Sequence, residues 1–218
     1  MSDSQFDIAV FDLDGTLIDS KGDIASSLNW TLTQLDLDPI PLAVIESFVG
    51  NGIQPLITKS VIAAGSPERE EAALALFRDR YWECLLDTTE TFPGVIDTII
   101  KLQNRVQMAV VSNKMERYTV KILEGLNMAK YFGGLVYGGD TLPVKKPDPA
   151  ALLDIASKLG ASTERMVIVG DSAVDIEAGK RAGAATIGVT YGYRDADEIL
   201  HAAPDLIIDR FDRLLEIL

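Results

Sequence analysis

This chain contains six short apolar runs, one before and five after a long region with a helical pattern. The first run, FDIAVF (residues 6–11), stands near the start of the sequence. Five more follow residue 90: VQMAVVS (106–112), GLVYGG (134–139), MVIVGD (166–171), AATIGVT (184–190) and DLIID (205–209). Apolar runs of this length, separated by helical patterns, predict a parallel sheet that is buried on both faces.

The region between the first two runs has a helical pattern. In KGDIASSLNWTLTQLDL, apolar residues recur at the three- and four-residue spacing of an amphipathic helix: Ile24, Leu28, Leu32 and Leu35. The sequence Ser66-Pro67-Glu68 is typical of the N-cap and first turn of a long helix. No segment between residues 20 and 90 has a convincing strand pattern. We therefore predict a doubly wound, Rossmann-like α/β core, residues 1–18 and 91–218, with an all-helical cap domain, residues 19–90, inserted after the first strand.

Composition narrows the setting in which this protein works. Hydrophobic residues make up 47% of the chain, which is ample for a packed core, and no apolar run is long enough to span a bilayer. The opening MSDSQFDIAV lacks the pattern of a signal peptide, and a single cysteine suits a reducing compartment. The net charge of −13 argues against nucleic acid or an anionic membrane as a partner. We expect a soluble cytoplasmic protein.

The same composition excludes several kinds of catalysis. The only histidine, His201, lies in a late helical stretch with no nucleophile motif near it, and we interpret it as a surface residue. Cys84 lies in an aromatic and aliphatic helical stretch, which indicates an inert buried thiol. Any chemistry is therefore expected to use carboxylates, a lysine, hydroxyl groups and a hard metal ion.

Polar residues of these types follow the predicted strands. Because ligands bind at the carboxyl ends of the strands in such sheets, we expect the following residues to meet at one edge. They are Asp12 and Asp14 with the supporting turn Gly15-Thr16, Ser112 and Asn113, Lys146 before a proline, and Asp171 with Asp175 one helical turn later. Two carboxylates one residue apart repel each other, and a divalent cation is the usual compensation.

Phosphoryl transfer is the chemistry that fits this set. Asp12 is expected to be the nucleophile that forms an aspartyl-phosphate, and Asp14 the group that protonates the leaving oxygen and later deprotonates water. Ser112, the N–H of Asn113 and Lys146 are expected to bind the phosphate. Mg²⁺ is expected to be held by Asp12, Asp14 and Asp171, with Asp14 not necessarily bound through its side chain. Asp175 is expected to position Lys146 or a metal-bound water.

Four motifs carry a resemblance to a known family across the whole chain. DLDGTLIDS, VVSNK, KKPDPAALL and VGDSAVDIEAGKRAG resemble, in order, the motifs of the haloacid-dehalogenase-like hydrolase superfamily. The second acid, Asp14, distinguishes the phosphatase branch from the dehalogenase branch, so the resemblance implies a phosphatase or phosphomutase acting on a small phosphorylated metabolite. The cap stretch FVGNGIQPLITKSV is similar to the branch that includes phosphoglycolate phosphatase, which implies 2-phosphoglycolate as the substrate.

Several alternatives stay open at this point. Pyrophosphatases and sugar-phosphate phosphatases of the superfamily have related caps, and a phosphomutase has the same core. The mutases use a histidine early in the cap, and residues 20–90 contain none. Alternatives of another class are a phospho-aspartate signalling receiver, which has no helical cap, and a non-catalytic phosphate-binding module.

Within the predicted cap, one loop and one lysine are candidates for reading the leaving group. Gly50-Asn51-Gly52 forms either a loop that enters the site when the cap closes or an ordinary break between helices. Lys59 is interpreted as a solvated lysine rather than as a substrate ligand.

Overall fold

The structure, a computed structural model, describes residues 5–218 as two compact units. One unit comprises residues up to Ile18 together with Thr91–Leu218, and the other comprises Asp19–Glu90. Within residues 5–218, none of the helices combines the length and apolar character that crossing a membrane requires.

The larger unit contains a six-stranded parallel sheet, as predicted. Its strands are β1 (Ile8–Phe11), β4 (Gln107–Val111), β5 (Val136–Tyr137), β6 (Met166–Gly170), β7 (Ala185–Val189) and β8 (Leu206–Ile208). Their order in the sheet is β5-β4-β1-β6-β7-β8, and every neighbouring pair is parallel. The helices are α5 (Val95–Leu102), α6 (Glu116–Gly125), α7 (Ala150–Leu159), α8 (Ala173–Ala182), α9 (Ala196–Ala202) and α10 (Leu214–Ile217). This is the doubly wound α/β fold that the sequence predicts.

The register of the three central strands aligns the carboxyl ends of β1, β4 and β6. Phe11, the last residue of β1, pairs with Val110 of β4 on one side and with Val169 of β6 on the other. The three strands consist almost entirely of buried apolar residues, which hold this edge rigidly. β1 also lies where the chain changes direction across the sheet, which is where ligands bind in folds of this type. Residues that directly follow β1, β4 and β6 therefore emerge side by side.

The smaller unit, residues 19–90, is helical. It contains α1 (Lys21–Gln34), α2 (Leu42–Phe48), α3 (Ile53–Ala63) and α4 (Glu70–Cys84). The α1 residues Ile24, Leu28 and Leu32 are buried as predicted, whereas Leu35 is only partly buried because α1 ends beside it. Short strands β2 (Ile18–Asp19) and β3 (Glu90–Thr91) pair where the chain passes between the two units.

Three local predictions need correction. The predicted start of the long helix at Ser66 is wrong by a few residues: Pro67–Arg69 form a 3-10 turn, and α4 begins at Glu70. The run GLVYGG contributes only two residues to its strand. β8 is not buried on both faces, because it is the edge strand of the sheet and leaves Leu206 and Ile207 exposed.

Candidate active site

The turn after β1 carries the first predicted site residues. Asp12 continues the strand, since its N–H donates to the carbonyl of Val169 at 2.9 Å. Gly15 then turns the chain with a φ of +83°, and its N–H donates to the carbonyl of Ile18 at 3.0 Å. A Cβ atom at Gly15 would lie 2.2 Å from Oδ2 of Asp171, so a side chain does not fit there. The Asp-x-Asp-Gly turn therefore packs directly against the end of β6.

Lys146 is a buried cation in the centre of the site. Its Nζ lies 2.8 Å from Oδ1 of Asp12 and 2.6 Å from Oδ1 of Asp175. Its carbonyl accepts a hydrogen bond from Nδ2 of Asn113 at 3.1 Å. Burial disfavours the charged form of Lys146, but the two carboxylates outweigh burial and raise its pKa above the ordinary range. The preceding Lys145 is exposed, so only the second lysine of the pair belongs to the site.

Asp175 is held by the start of α8. Its Oδ2 accepts hydrogen bonds from the N–H of Ser172 at 3.1 Å and from the hydroxyl of Ser172 at 2.6 Å, as part of a capping box. Its other oxygen, Oδ1, faces Lys146. The carboxylate is completely buried. Helix capping thus fixes the carboxylate that faces Lys146.

A loop after β7 holds Asp171. Oδ2 of Asp171 accepts a hydrogen bond from the N–H of Tyr193 at 2.8 Å. Gly192 is so close that a Cβ atom there would lie 2.3 Å from Cβ of Asp171. The hydroxyl of Tyr191 donates to the carbonyl of Thr16 at 2.9 Å, which ties the same loop to the turn after β1. Asp171 therefore has contacts with two loops in addition to its own strand.

The residues after β4 occupy the other side of Asp12. Ser112 and Asn113 are buried, and Oγ of Ser112 accepts a hydrogen bond from the N–H of Lys114 at 3.2 Å. Nζ of Lys114 lies 3.0 Å from Oδ1 of Asp14, and both side chains are largely buried. The second acid of the Asp-x-Asp pair thus has an ammonium group beside it.

Three carboxylates are placed to hold a metal ion. Asp12, Asp171 and Asp175 each offer an oxygen, and these oxygens lie within 4.8 Å of one another. The predicted metal set of Asp12, Asp14 and Asp171 differs from this group in one member, because the carboxylate of Asp14 pairs with Lys114. Oxygen ligands of this kind are those that Mg²⁺ prefers.

The electrostatics of the group favour a divalent cation. Burial raises the pKa of Asp12 to about 7, with Lys146 opposing the rise and Asp175 adding to it. Burial also raises the pKa of Asp171 well above its usual range, and the neighbouring Asp12 and Asp175 add to this effect. The four site carboxylates face the ammonium groups of Lys146 and Lys114, and the Arg194 guanidinium also acts on Asp171, so the carboxylates outnumber the cations when all are ionised. A doubly charged cation supplies this balance, so the residues present fit the implied metal.

The remaining candidates lie in the helical unit or elsewhere on the surface. Gly50 and Gly52 have φ values of +110° and +86°, and Gly52 directly precedes α3. Lys59 is exposed, with its Nζ 5.6 Å from the centre of the Phe48 ring. His201 is exposed at the end of α9, as interpreted from the sequence.

Cys84 is also placed as the sequence indicated. Its thiol is buried at the end of α4, and burial raises its pKa, which keeps it protonated and unreactive.

Sequence reasoning assigned no role to two parts of this site. Lys114 follows Ser112-Asn113 directly, and its position at a strand end was the available signal. The loop 190–194, TYGYR, follows the carboxyl end of β7, so the same strand-end rule could have found it. Both contact residues that are distant in sequence, which a local pattern does not reveal.

A doubly wound sheet with clustered aspartates and a buried lysine at the ends of its central strands defines a class of carboxylate-based hydrolases. The family model described as haloacid dehalogenase-like hydrolase matches residues 9–189. The chain belongs to this family, and it is an enzyme of the hydrolase class.

Proteins named phosphoglycolate phosphatase align with almost the whole of this chain. A phosphoglycolate phosphatase of Pseudomonas putida is 40% identical over 95% of this chain and 78% of its own length. A phosphoglycolate phosphatase of Salmonella paratyphi A is 36% identical over 94% of this chain and 89% of its own length. A crystal structure from Haemophilus somnus, described as a predicted phosphoglycolate phosphatase, is similar with a TM-score of 0.92, 31% identity and 99% coverage of both chains.

Proposed function

We propose that this hydrolase is a Mg²⁺-dependent phosphatase that cleaves 2-phosphoglycolate through an aspartyl-phosphate on Asp12. The observation that carries the proposal is the position of Asp12, whose Oδ1 lies 2.8 Å from Nζ of Lys146 beside Asp171 and Asp175. A nucleophile that attacks a phosphate dianion needs this local positive charge, because two anions otherwise repel each other. The names of the relatives support the choice of substrate.

The first half of the reaction forms the covalent intermediate. A carboxylate oxygen of Asp12 attacks phosphorus, and the bond between phosphorus and the ester oxygen breaks. Asp14 gives a proton to the departing glycolate oxygen. Lys146, the hydroxyl of Ser112 and the N–H of Asn113 bind the phosphate oxygens while charge builds on them. Mg²⁺, held by Asp12 and Asp171 with Asp175 beside them, would supply further neutralisation of the phosphate charge.

The second half regenerates the enzyme. Asp14, now ionised, takes a proton from a water molecule that attacks the phosphorus of the aspartyl-phosphate. The bond between phosphorus and Asp12 breaks, and inorganic phosphate leaves. Lys114, beside Asp14, and Asp175, beside Lys146, hold these groups in place.

The role of residues 19–90 as a cap that selects the leaving group also belongs to this proposal. The loop Gly50-Asn51-Gly52 is the part we expect to influence selection, and substitutions at Asn51 should change the ranking of substrates. Such substitutions should affect a small activated aryl phosphate less, because its departure needs less help from the enzyme. We also infer a cytoplasmic location, which the single cysteine supports.

A substrate panel tests the proposal. Phosphate release is measured from 2-phosphoglycolate, pyrophosphate, glucose 1-phosphate and glycerol phosphate, each with Mg²⁺ and with a chelator. We expect 2-phosphoglycolate to have the highest kcat/KM, and we expect no turnover in chelator. If pyrophosphate or the hexose phosphate exceeds it by more than about tenfold, which is about 1.4 kcal/mol in transition-state binding, the substrate is wrong although the phosphatase assignment survives.

Two variants test the assigned roles. Asp12→Asn should abolish turnover and the acid-stable labelling of the protein by phosphate, while its circular dichroism stays that of the wild type. Asp14→Asn should lower kcat/KM for 2-phosphoglycolate much more than for p-nitrophenyl phosphate, because kcat/KM reports the formation of the aspartyl-phosphate and the nitrophenolate leaves without a proton. Equal losses in kcat/KM on the two substrates would show that Asp14 is not the acid.

A further inference from the structure

The site holds a second buried lysine that phosphoryl transfer itself does not require. Lys146 already faces the nucleophile Asp12, whereas Lys114 faces Asp14 at 3.0 Å. The side chain of Lys114 is only 6% exposed, and that of Asp14 is 11% exposed. Lysine is rarely buried to this extent, because removing an ammonium group from water is costly. The buried ammonium group of Lys114 therefore suggests a function beyond the transfer of the phosphoryl group.

The place of Lys114 relative to the leaving group follows from the role of Asp14. To protonate the leaving oxygen, Asp14 must lie within hydrogen-bond reach of it, about 3 Å. The same carboxylate lies 3.0 Å from Nζ of Lys114. The leaving oxygen and the ammonium group are therefore neighbours of one carboxylate. Lys146, by contrast, lies 2.8 Å from Oδ1 of Asp12, the proposed nucleophile.

We propose that Lys114 binds a carboxylate on the leaving group and so selects phosphate monoesters of 2-hydroxy acids. This inference rests on the proposed function and deepens it. In 2-phosphoglycolate the carboxylate is attached to the carbon that carries the ester oxygen, so it lies next to the atom that Asp14 protonates. An ammonium group has three N–H donors, so Lys114 can keep its contact with Asp14 while it donates to the substrate.

Two simpler roles for Lys114 predict different behaviour. If it only orients Asp14, its loss should slow all substrates that need a proton on the leaving oxygen by the same factor. If it binds the transferred phosphate, its loss should weaken inhibition by inorganic phosphate. The loss of a carboxylate ligand is distinguished from both by a change in the preference between substrates and in the affinity for glycolate.

The test compares two substrates that differ only at the carboxylate. In 2-hydroxyethyl phosphate a CH2OH group replaces the carboxylate of 2-phosphoglycolate, and both substrates leave as alkoxides that need a proton. In Lys114→Met the ratio of their kcat/KM values should fall by about 10- to 100-fold, the range that the loss of a charged hydrogen bond gives. Rates on both substrates can fall, because Asp14 loses its partner, and the ratio decides. Lys114→Arg should retain most of the preference.

Inhibition by the products gives a second readout that does not depend on comparing the two substrates. The inhibition constant of glycolate should rise about tenfold or more in Lys114→Met, whereas that of inorganic phosphate should stay within about threefold of the wild type. Lys101→Met, which removes an exposed lysine from α5, is the matched control and should change neither constant. Circular dichroism and thermal unfolding establish that each variant is folded.

The outcomes separate this inference from the proposed function. If the wild type does not prefer 2-phosphoglycolate to 2-hydroxyethyl phosphate, the proposed substrate is wrong. If the wild type has the preference and Lys114→Met keeps it, the substrate stands and Lys114 does not read the carboxylate. An equal loss on both substrates, or a weakened inorganic phosphate complex with unchanged glycolate affinity, would also overturn the inference.

Discussion

Removal of the metal should make the stability of this protein fall as the pH rises, and the reason lies in Asp12. In the folded protein without metal the pKa of Asp12 is raised to about 7, chiefly by burial. In the unfolded chain an aspartate has a pKa of about 4. Between about pH 4 and pH 7 the folded state therefore holds a proton on Asp12 that the unfolded state has released. Stability from this group is fully present below pH 4 and is lost as the pH rises through 7.

The expected loss follows from the two pKa values. Each pH unit over which the folded state holds one extra proton changes the free energy of unfolding by about 1.4 kcal/mol. The interval from about 4 to about 7 then corresponds to about 4 kcal/mol for Asp12 alone. Asp171, whose pKa is also raised by burial, acts in the same direction. Mg²⁺ binds the ionised carboxylates, so the stabilisation that it provides should grow over the same interval.

Urea unfolding between about pH 5 and pH 8, in chelator and in saturating Mg²⁺, measures both effects. Asp12→Asn is the matched control, because an amide does not titrate. In chelator its free energy of unfolding should fall less steeply with pH than that of the wild type, by about 1.4 kcal/mol per pH unit over the lower part of the range. Wild type and Asp12→Asn with the same slope, or a stabilisation by Mg²⁺ that does not change with pH, would refute the reasoning.

Three further outcomes follow from the same geometry. Lys146→Ala should lose about 10²- to 10³-fold in kcat/KM, because the phosphate charge and Asp12 lose their buried cation. Lys145→Ala should keep kcat/KM within about threefold of the wild type, since Lys145 is exposed. Comparable losses in both variants would contradict the assignment of Lys146. Gly192→Ala should lower the free energy of unfolding in urea by about 1–3 kcal/mol, because its Cβ would lie 2.3 Å from Cβ of Asp171. It should also raise the Mg²⁺ concentration needed for the half-maximal rate. An unchanged Mg²⁺ requirement would show that the loop does not hold that carboxylate. Ca²⁺ should inhibit in competition with Mg²⁺, because its looser coordination can take both oxygens of Asp12 and leave none to attack; turnover with Ca²⁺ alone would contradict this.

The fold and the residues at the strand ends could be predicted because both follow from local sequence patterns. Short apolar runs stand out between helical patterns in the sequence, and parallel strands bring their carboxyl ends to one edge. Asp12, Lys146 and Asp171 could thus be expected at one place before any distance was known. The boundaries of elements were less predictable: a 3-10 turn replaced the first residues of the helix expected at Ser66, and β8 proved to be a half-exposed edge strand.

The sequence by itself determined which chemical groups this protein has at the ends of its strands, and that no histidine or cysteine chemistry competes with them. Only the tertiary structure decided how those groups pair: Lys146 with Asp12 and Asp175, and Lys114 with Asp14. Pairing depends on distances of about 3 Å between residues that are far apart in the chain, and such distances are set by strand register and loop packing. Burial, which raises the pKa of Asp12 to about 7, is likewise a property of the whole packed domain and not of any motif.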